Sequence, residues 1–130
     1  MNLELARAII FVKDMPSMAA FYQDALGLTE VVTDDTSDGW RVLSAGGMQL
    51  ALHAIPAQIA EGFAISVPPE ARSSAVTKLV FRVPDVVAAR AALHARGVIE
   101  VNQFFVDPDR SLVRCDFLDP EGNVFQISSE

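Results

Sequence analysis

The segment Ala8–Asp14 (AIIFVKD) is echoed by Leu79–Asp85 (LVFRVPD), 71 positions later when counted from Asp14 to Asp85. Each copy runs into a stretch of helical periodicity that ends at a glycine, Gly27 in the first copy and Gly97 in the second. Self-similarity at a fixed separation indicates a duplicated structural unit. Two such halves can enclose one cavity, so the repeat bears on function as well as on fold.

Both copies predict the same order of elements, β-α-β-β-β. The apolar, β-branched run 5–12 predicts the first strand, and Asp14 predicts the N-cap of a helix. The buried stripe of this helix is expected at Met18, Phe21, Tyr22 and Ala25, and that of the second helix, capped by Asp85, at Val86, Ala89 and Leu93. The remaining strands are predicted at about 29–34, 40–45, 48–54, 99–105, 111–118 and 123–128.

With 130 residues, the chain is expected to form one α+β domain. It divides into module one (about 1–55), a linker (about 56–75) and module two (about 76–130). We expect the two sheets to form a curved, cavity-enclosing surface with one helix packed behind each. Two interpretations of the linker stay open: it joins the halves only, or it forms a ligand-covering flap around Phe63 and Ile65.

Composition excludes several classes of protein. A net charge of -7 argues against general nucleic-acid binding, which requires clustered Lys and Arg. No apolar run approaches the roughly 20 residues that span a membrane, and the first residues lack the features of a signal peptide. Cys115 is the one cysteine and has no partner for an intramolecular disulfide. We therefore expect a cytoplasmic protein.

The motifs resemble those of the vicinal oxygen chelate superfamily, which includes glyoxalase I, extradiol dioxygenases and the fosfomycin and bleomycin resistance proteins. The resemblance rests on Val12-x-Asp14 leading into Phe21-Tyr22, and on Asp119–Asn123 (DPEGN) before the last strand. The stretch around Trp40 is similar to that of bleomycin resistance proteins. The resemblance implies the fold more than the function, because one scaffold hosts many chemistries.

Metal-dependent members of this superfamily take ligands from the first and last strand of each module. The resemblance places those four positions at Arg7, Ala51, Lys78 and Gln126, of which only Gln126 is of a ligand-compatible type. Guanidinium and ammonium groups have no lone pair for a metal. We therefore expect neither a metal nor another cofactor, although a misregistered strand or a site relocated to His53 would change this.

Alternation of side chains along each strand indicates which residues share a face with those four positions. The predicted ligand-binding residues are Arg7, Trp40, Gln49, His53, Lys78, Arg82, Arg114, Asp116 and Gln126. Cys115 is expected on the opposite face, against the helix. The set is mostly cationic, which predicts an anionic ligand. The alternative is that these cations pair with Asp116, with acidic loop residues or with a second subunit, or that they extend into solvent.

Two aromatic residues have more than one interpretation. His53 is the sole imidazole near the predicted cavity and the one weak candidate for acid–base catalysis, but a histidine without a placed partner is more often a pocket wall. Trp40 could stack on a planar ligand or belong to the core. His94 is expected on the surface.

Three functions are consistent with the sequence. The first is a metal-independent binding protein of the antibiotic-resistance type, which sequesters a small anionic or aromatic molecule; a cationic pocket disfavours bleomycin itself. The second is a lyase, isomerase or dioxygenase with an atypical site that uses His53 with Asp116 or a water molecule. The third is a dimerisation or partner-binding module. Because relatives commonly form dimers, we expect a homodimer.

Overall fold

Two four-stranded sheets, each with one principal helix, make up the chain in the computed structural model, which describes residues 1–35, 37–109 and 111–130. The chain divides into two compact units, Met1–Ala64 and Ile65–Glu130. Each unit has the element order β-α-β-β-β, so the predicted duplication and the α+β class are confirmed. No helix of the described residues has the length and apolar character needed to cross a membrane.

The sheet of the first unit has the strand order β1-β4-β3-β2. Its strands are β1 (Arg7–Val12), β2 (Thr29–Val31), β3 (Trp40–Ala45) and β4 (Met48–Ala54). Helix α1 (Met15–Ala20) continues as a π-helical turn, Phe21–Ala25, and the short helix α2 (Ala57–Ala60) follows β4. β1 runs parallel to β4, because the helix returns the chain to the end of the sheet at which β1 begins, and two antiparallel steps, β2 to β3 and β3 to β4, restore the direction of β1.

Local chemistry explains the first helix. The Asp14 carboxylate accepts a hydrogen bond from the Ser17 N–H at 3.1 Å and so satisfies one of the unpaired donors of the first turn. Met18 and Tyr22 are buried, and full burial of a side chain of this size stabilises a fold by about 1.5–3 kcal/mol. The helix was expected to be regular up to Gly27, but its last turn is wider, with a bond from the Leu26 N–H to the Phe21 carbonyl.

The sheet of the second unit has the strand order β5-β8-β7-β6. Its elements are β5 (Leu79–Arg82), α3 (Val86–Ala95), β6 (Glu100–Asp107), β7 (Leu112–Leu118) and β8 (Val124–Ser128). Asp85 caps α3 by accepting from the Ala88 N–H at 2.9 Å. α3 packs on β7 and β8, where Phe117, Phe125 and Ile127 are buried.

Three strands differ from the prediction by two or more residues at one end. β1 begins at Arg7 and not at residue 5. β2 ends at Val31, where its pairing with Val42 stops, and Val32 is 95% exposed. β6 is longer than predicted and contains a bulge between Val101 and Phe105, at which Asn102 has a φ of 61°. Four positions separate Val101 from Phe105 where two separate Asp116 from Arg114, so the bulge adds two residues (4 − 2 = 2). An even number of extra residues keeps the period-2 alternation in phase, so the alternation gave no sign of this bulge.

The segment between the predicted modules is more structured than a simple connection. The Arg72 N–H donates to the Gly122 carbonyl at 3.0 Å, and its guanidinium donates to the Glu121 carbonyl at the same distance. The Glu121 carboxylate is buried 3.7 Å from the Arg72 guanidinium. These hydrogen bonds and this ion pair hold the part of the segment around Arg72 against the turn before β8.

Candidate functional site

Strand register places the predicted residues of the second unit on one face of its sheet. Gln126 pairs with Asp116 on one side and with Val80 on the other, and Ser128 pairs with Arg114 and Arg82. Cys115 and Phe117 alternate with these residues, pair with Ile127 and Phe125, and are buried in the sheet on which α3 packs. The alternation inferred from the sequence thus separates the polar face from the core in β7.

Asp116 is the centre of a network on this face. Its Oδ2 atom accepts from Lys78 Nζ at 3.1 Å and from Asn102 Nδ2 at 2.7 Å, while its Oδ1 atom accepts from Gln126 Nε2 at 2.8 Å. Asp116 is only 6% exposed. A buried carboxylate is stable when its oxygens are hydrogen-bonded and a cation balances its charge, and both conditions are met here.

The network determines the protonation of Asp116. Burial by itself raises the pKa of this carboxyl group, but the hydrogen bonds from Gln126, Asn102 and Lys78 outweigh it, so the pKa lies below its ordinary value. Asp116 is therefore an anion near neutral pH and its charge balances that of Lys78. Pairing with Asp116 was the alternative to ligand binding that the sequence left open for its cations.

Asn102 belongs to this network and was not anticipated from the sequence. The β6 bulge gives it a left-handed backbone conformation and directs its side-chain amide to Asp116. Asparagine tolerates this conformation better than most residues do. An asparagine in the middle of a predicted strand, where it is unfavourable, was the only signal in the sequence.

A pocket of about 400 Å³ adjoins the network. Its lining residues are Lys78, Gln103, Phe105, Arg114, Cys115, Asp116 and Gln126. Two cations and one carboxylate give the lining a net positive charge, in a chain whose total charge is -7. The volume falls within the range of small-molecule sites.

Arg114 supplies the positive charge that Asp116 does not balance. Its guanidinium lies 4.5 Å from the centroid of the Phe105 ring. Within the described parts of the chain, no carboxylate forms an ion pair with Arg114 or with Arg82, and both residues are exposed. Their N–H groups are available to an anionic ligand.

The predicted residues of the first unit form a different arrangement. The Nε and Nη2 atoms of Arg7 donate to Gln49 Oε1 at 3.0 and 2.7 Å, and the guanidinium lies 5.6 Å from the Trp40 ring centroid. The His53 ring is in contact with Trp40 on one side and with Phe11 on the other, at centroid distances of 5.6 and 5.5 Å. This face is aromatic, and Gln49 occupies two of the donors of Arg7.

Two further residues lie near the α3 side of the second sheet. Cys115 is buried, and burial raises the pKa of its thiol to about 11, which makes it an inert core side chain. The ring of His94 is half-exposed and its Nε2 atom lies 2.7 Å from Glu100 Oε2. It was expected on the surface, and it is held there by this acidic partner.

A sequence model of the Glyoxalase/Bleomycin resistance protein/Dioxygenase superfamily matches residues 4–127. The chain belongs to this superfamily. Among proteins of curated function, none matches the sequence significantly. Superfamily membership establishes the scaffold but not the reaction or the ligand.

Solved structures agree with this assignment. The chain is similar to a glyoxalase/bleomycin resistance protein/dioxygenase family enzyme from Burkholderia phytofirmans PsJN, with 26% identity, a TM-score of 0.73 and coverage of 97% of this chain and 98% of that one. A superfamily member from Sphaerobacter thermophilus DSM 20745 has 22% identity and a TM-score of 0.70, with coverage of 99% and 98%. Lactoylglutathione lyase from Agrobacterium tumefaciens has 20% identity and a TM-score of 0.69, with coverage of 98% and 94%.

The donor groups at the superfamily's metal positions do not fit a divalent cation. Arg7 and Lys78 have no lone pair to offer, and Ala51 has no polar atom. The carboxylate bonded to Lys78 and Gln126, that of Asp116, already accepts three hydrogen bonds. In the described ranges, no group of three or more His, Cys, Asp or Glu side chains is arranged to hold a metal.

Proposed function

We propose that the protein binds a small anionic organic molecule in the pocket of the second unit, without a metal ion. The single observation that carries this proposal is the exposed Arg114 guanidinium in a pocket of about 400 Å³, with no carboxylate partner among the described residues. A guanidinium offers parallel N–H donors that match a carboxylate or a phosphate.

The other lining residues suit an organic anion better than a bare ion. Phe105 is 39% exposed and offers apolar surface, while Gln103 and Gln126 bring amide groups. A mainly polar rim around one aromatic side chain can orient a ring that carries an acidic substituent. The role is sequestration, which requires complementary shape and charge only.

Catalysis by Asp116 is less compatible with its surroundings. The low pKa leaves the carboxyl group without a proton to donate near neutral pH, and three donors already occupy its oxygens. His53 has aromatic neighbours on the first sheet, and no acid among the described residues is hydrogen-bonded to it. These contacts favour a binding protein over an acid–base enzyme.

The proposal is tested by thermal unfolding of chelator-treated protein with benzoate, phenyl phosphate or benzyltrimethylammonium. A ligand at 100 times its Kd stabilises the folded state by about 2.7 kcal/mol. We expect the two anions to raise the Tm and the cation to leave it unchanged. Stabilisation by the cation alone, or by none of the three compounds, contradicts the proposal.

Partner binding is a second candidate, favoured by apolar exposure on β1. Ile9 is 48% exposed and Phe11 is 62% exposed on this edge strand. Exposed apolar side chains beside an open strand edge suit association with a second copy of the chain. Light scattering tests this: the homodimer predicts twice the chain mass, whereas a stable monomer at micromolar concentration excludes it.

A further inference from the structure

The two sheets have different types of side chain at corresponding positions of their strands. In the first unit, His53 of β4 pairs with Phe11 and Trp40, which gives a row of three aromatic rings. In the second unit, the corresponding residue Ser128 pairs with Arg82 and Arg114. The duplicated position is thus aromatic in one unit and cationic in the other.

The geometry points to Arg82 and Arg114 as a paired anion-binding site for a phosphate monoester. This inference rests on the proposed function and identifies the class of anion. The two arginines flank Ser128 on the same face of the sheet, so their Cα atoms are two strand spacings apart, about 10 Å. Ser128 is itself buried and its hydroxyl accepts from the Glu130 N–H at 3.2 Å, whereas both arginines are exposed. The anion would therefore contact the two guanidinium groups and not this hydroxyl.

Charge favours a dianion over a carboxylate. Neither guanidinium has a carboxylate partner among the described residues, so the pair carries two uncompensated positive charges. A phosphate monoester carries a charge of about -1.5 to -2 at pH 7 and three acceptor oxygens. It can neutralise both arginines, whereas one carboxylate can neutralise only one.

Lys78 is not equivalent to these arginines. Its ammonium group is committed to Asp116 at 3.1 Å, and the ionised carboxylate cancels its charge. An incoming phosphate would have to compete with an internal anion that is already hydrogen-bonded in place. Arg82 and Arg114 have no such competitor among the described residues, so they determine the choice of anion.

The Phe105 ring restricts the conformation of the Arg114 side chain before an anion binds. Phe105 lies directly opposite Arg114 across β6 and β7, and the guanidinium is 4.5 Å from its centroid. A cation–π contact limits the conformations of the side chain and leaves its N–H groups free to donate. Less conformational entropy is then lost when the anion binds.

Titration calorimetry with phenyl phosphate, benzoate and inorganic phosphate tests the inference. The wild-type protein should bind phenyl phosphate about tenfold more tightly than benzoate, and R82Q and R114Q should each weaken phenyl phosphate binding about tenfold or more, the effect of losing a charged hydrogen bond. R96Q is the matched control, because Arg96 is an exposed arginine at the end of α3, outside this row. We expect its affinity to stay within twofold of the wild type.

The outcomes separate the inference from the proposed function. If benzoate binds as tightly as phenyl phosphate, or if R82Q binds phenyl phosphate like R96Q, the paired site is wrong while anion binding stands. If neither organic anion binds to the wild type, both claims are wrong. Equal affinity for inorganic phosphate and phenyl phosphate contradicts recognition of an ester. Circular dichroism spectra of the variants confirm that each one is folded.

Discussion

Asp116 connects the electrostatics of the second unit to its stability. Its two oxygens accept from Lys78, Asn102 and Gln126, and it is nearly excluded from solvent. An ionised carboxylate in this position balances a cation where metal-dependent relatives place a ligand. The charge pair is internal, whereas Arg82 and Arg114 form no ion pair with any carboxylate among the described residues.

The substitution D116N should destabilise the protein at pH 7 by about 2 kcal/mol, the scale of a charged hydrogen bond. The lowered pKa of Asp116 means that its contribution is present above the unfolded value near 3.9 and is lost as the pH falls through the folded value. The gap in unfolding free energy between wild type and D116N should therefore narrow below about pH 4.

Urea denaturation between pH 3 and pH 7 measures this gap. D24N is a control with the same change of charge at an exposed position. A gap that does not change with pH would show that Asp116 contributes through packing and not through its charge.

Gly122 lies in the turn before β8, where the segment between β4 and β5 contacts that turn. It has a φ of +83°, and a Cβ atom there would lie 2.1 Å from the Glu70 carbonyl oxygen. G122A should therefore cost the left-handed penalty of about 1–2 kcal/mol and, in addition, displace the backbone at Glu70. G46A is the control, since Gly46 has a φ of +66° with no atom within 4 Å of its added Cβ.

Thermal unfolding should give a lower Tm for G122A than for G46A. The difference between the two variants isolates the steric contact, because both residues have left-handed backbones. Equal melting temperatures would show that the Glu70 backbone moves aside without cost.

At the scale of elements, the bulge in β6 organises the site. It separates Val101, which pairs with Asp116, from Phe105, which pairs with Arg114. The extra residues between them include Asn102 and Gln103, of which one bonds to Asp116 and the other lines the pocket. The bulge thus supplies one polar side chain to the Asp116 network and another to the adjoining pocket. Bulges are common next to functional sites.

Substitutions at Asn102 can separate backbone from side-chain effects. N102G keeps the left-handed backbone accessible but removes the bond to Asp116, whereas N102A removes the bond and also strains the backbone. We expect N102A to be less stable than N102G by about 1 kcal/mol, and both to be less stable than the wild type. Chemical denaturation checks this order, and an N102A that equals N102G would contradict a strained bulge.

The sequence predicted those parts of the structure that depend on local chemistry. Asp14 and Asp85 cap their helices because their carboxylates satisfy free N–H groups close by in the chain. The faces of β7 followed from alternation. The bulge at Asn102 did not, because it depends on pairing between strands and not on the order of apolar residues.

The candidate site was predictable as a set of residues but not as a set of contacts. Sequence reasoning assigned Lys78 and Arg114 similar roles, as cations on one face. The structure distinguishes them, because Asp116 pairs with Lys78 while Arg114 contacts the Phe105 ring. Such a choice of partner depends on distances between side chains of several strands, which the spacing within each strand does not determine.

At the scale of the whole molecule, the two duplicated units have the same scaffold but different side chains on corresponding strand positions. The two units share the order of elements and the strand order, yet the row around His53 is aromatic and the row around Ser128 is cationic. One face of the second sheet is therefore cationic although the net charge of the chain is -7. The charge of a binding surface is determined by its local residues and not by the total.

The central claim is that the second unit binds an organic anion without a metal ion. It is tested most directly by calorimetric titration of phenyl phosphate into chelator-stripped protein, with and without added Mn²⁺, Ni²⁺ or Zn²⁺, after elemental analysis shows that the protein is free of metal. We expect binding to the stripped protein, with an affinity that the added metals leave unchanged. Binding that occurs only after a metal is restored would contradict the claim.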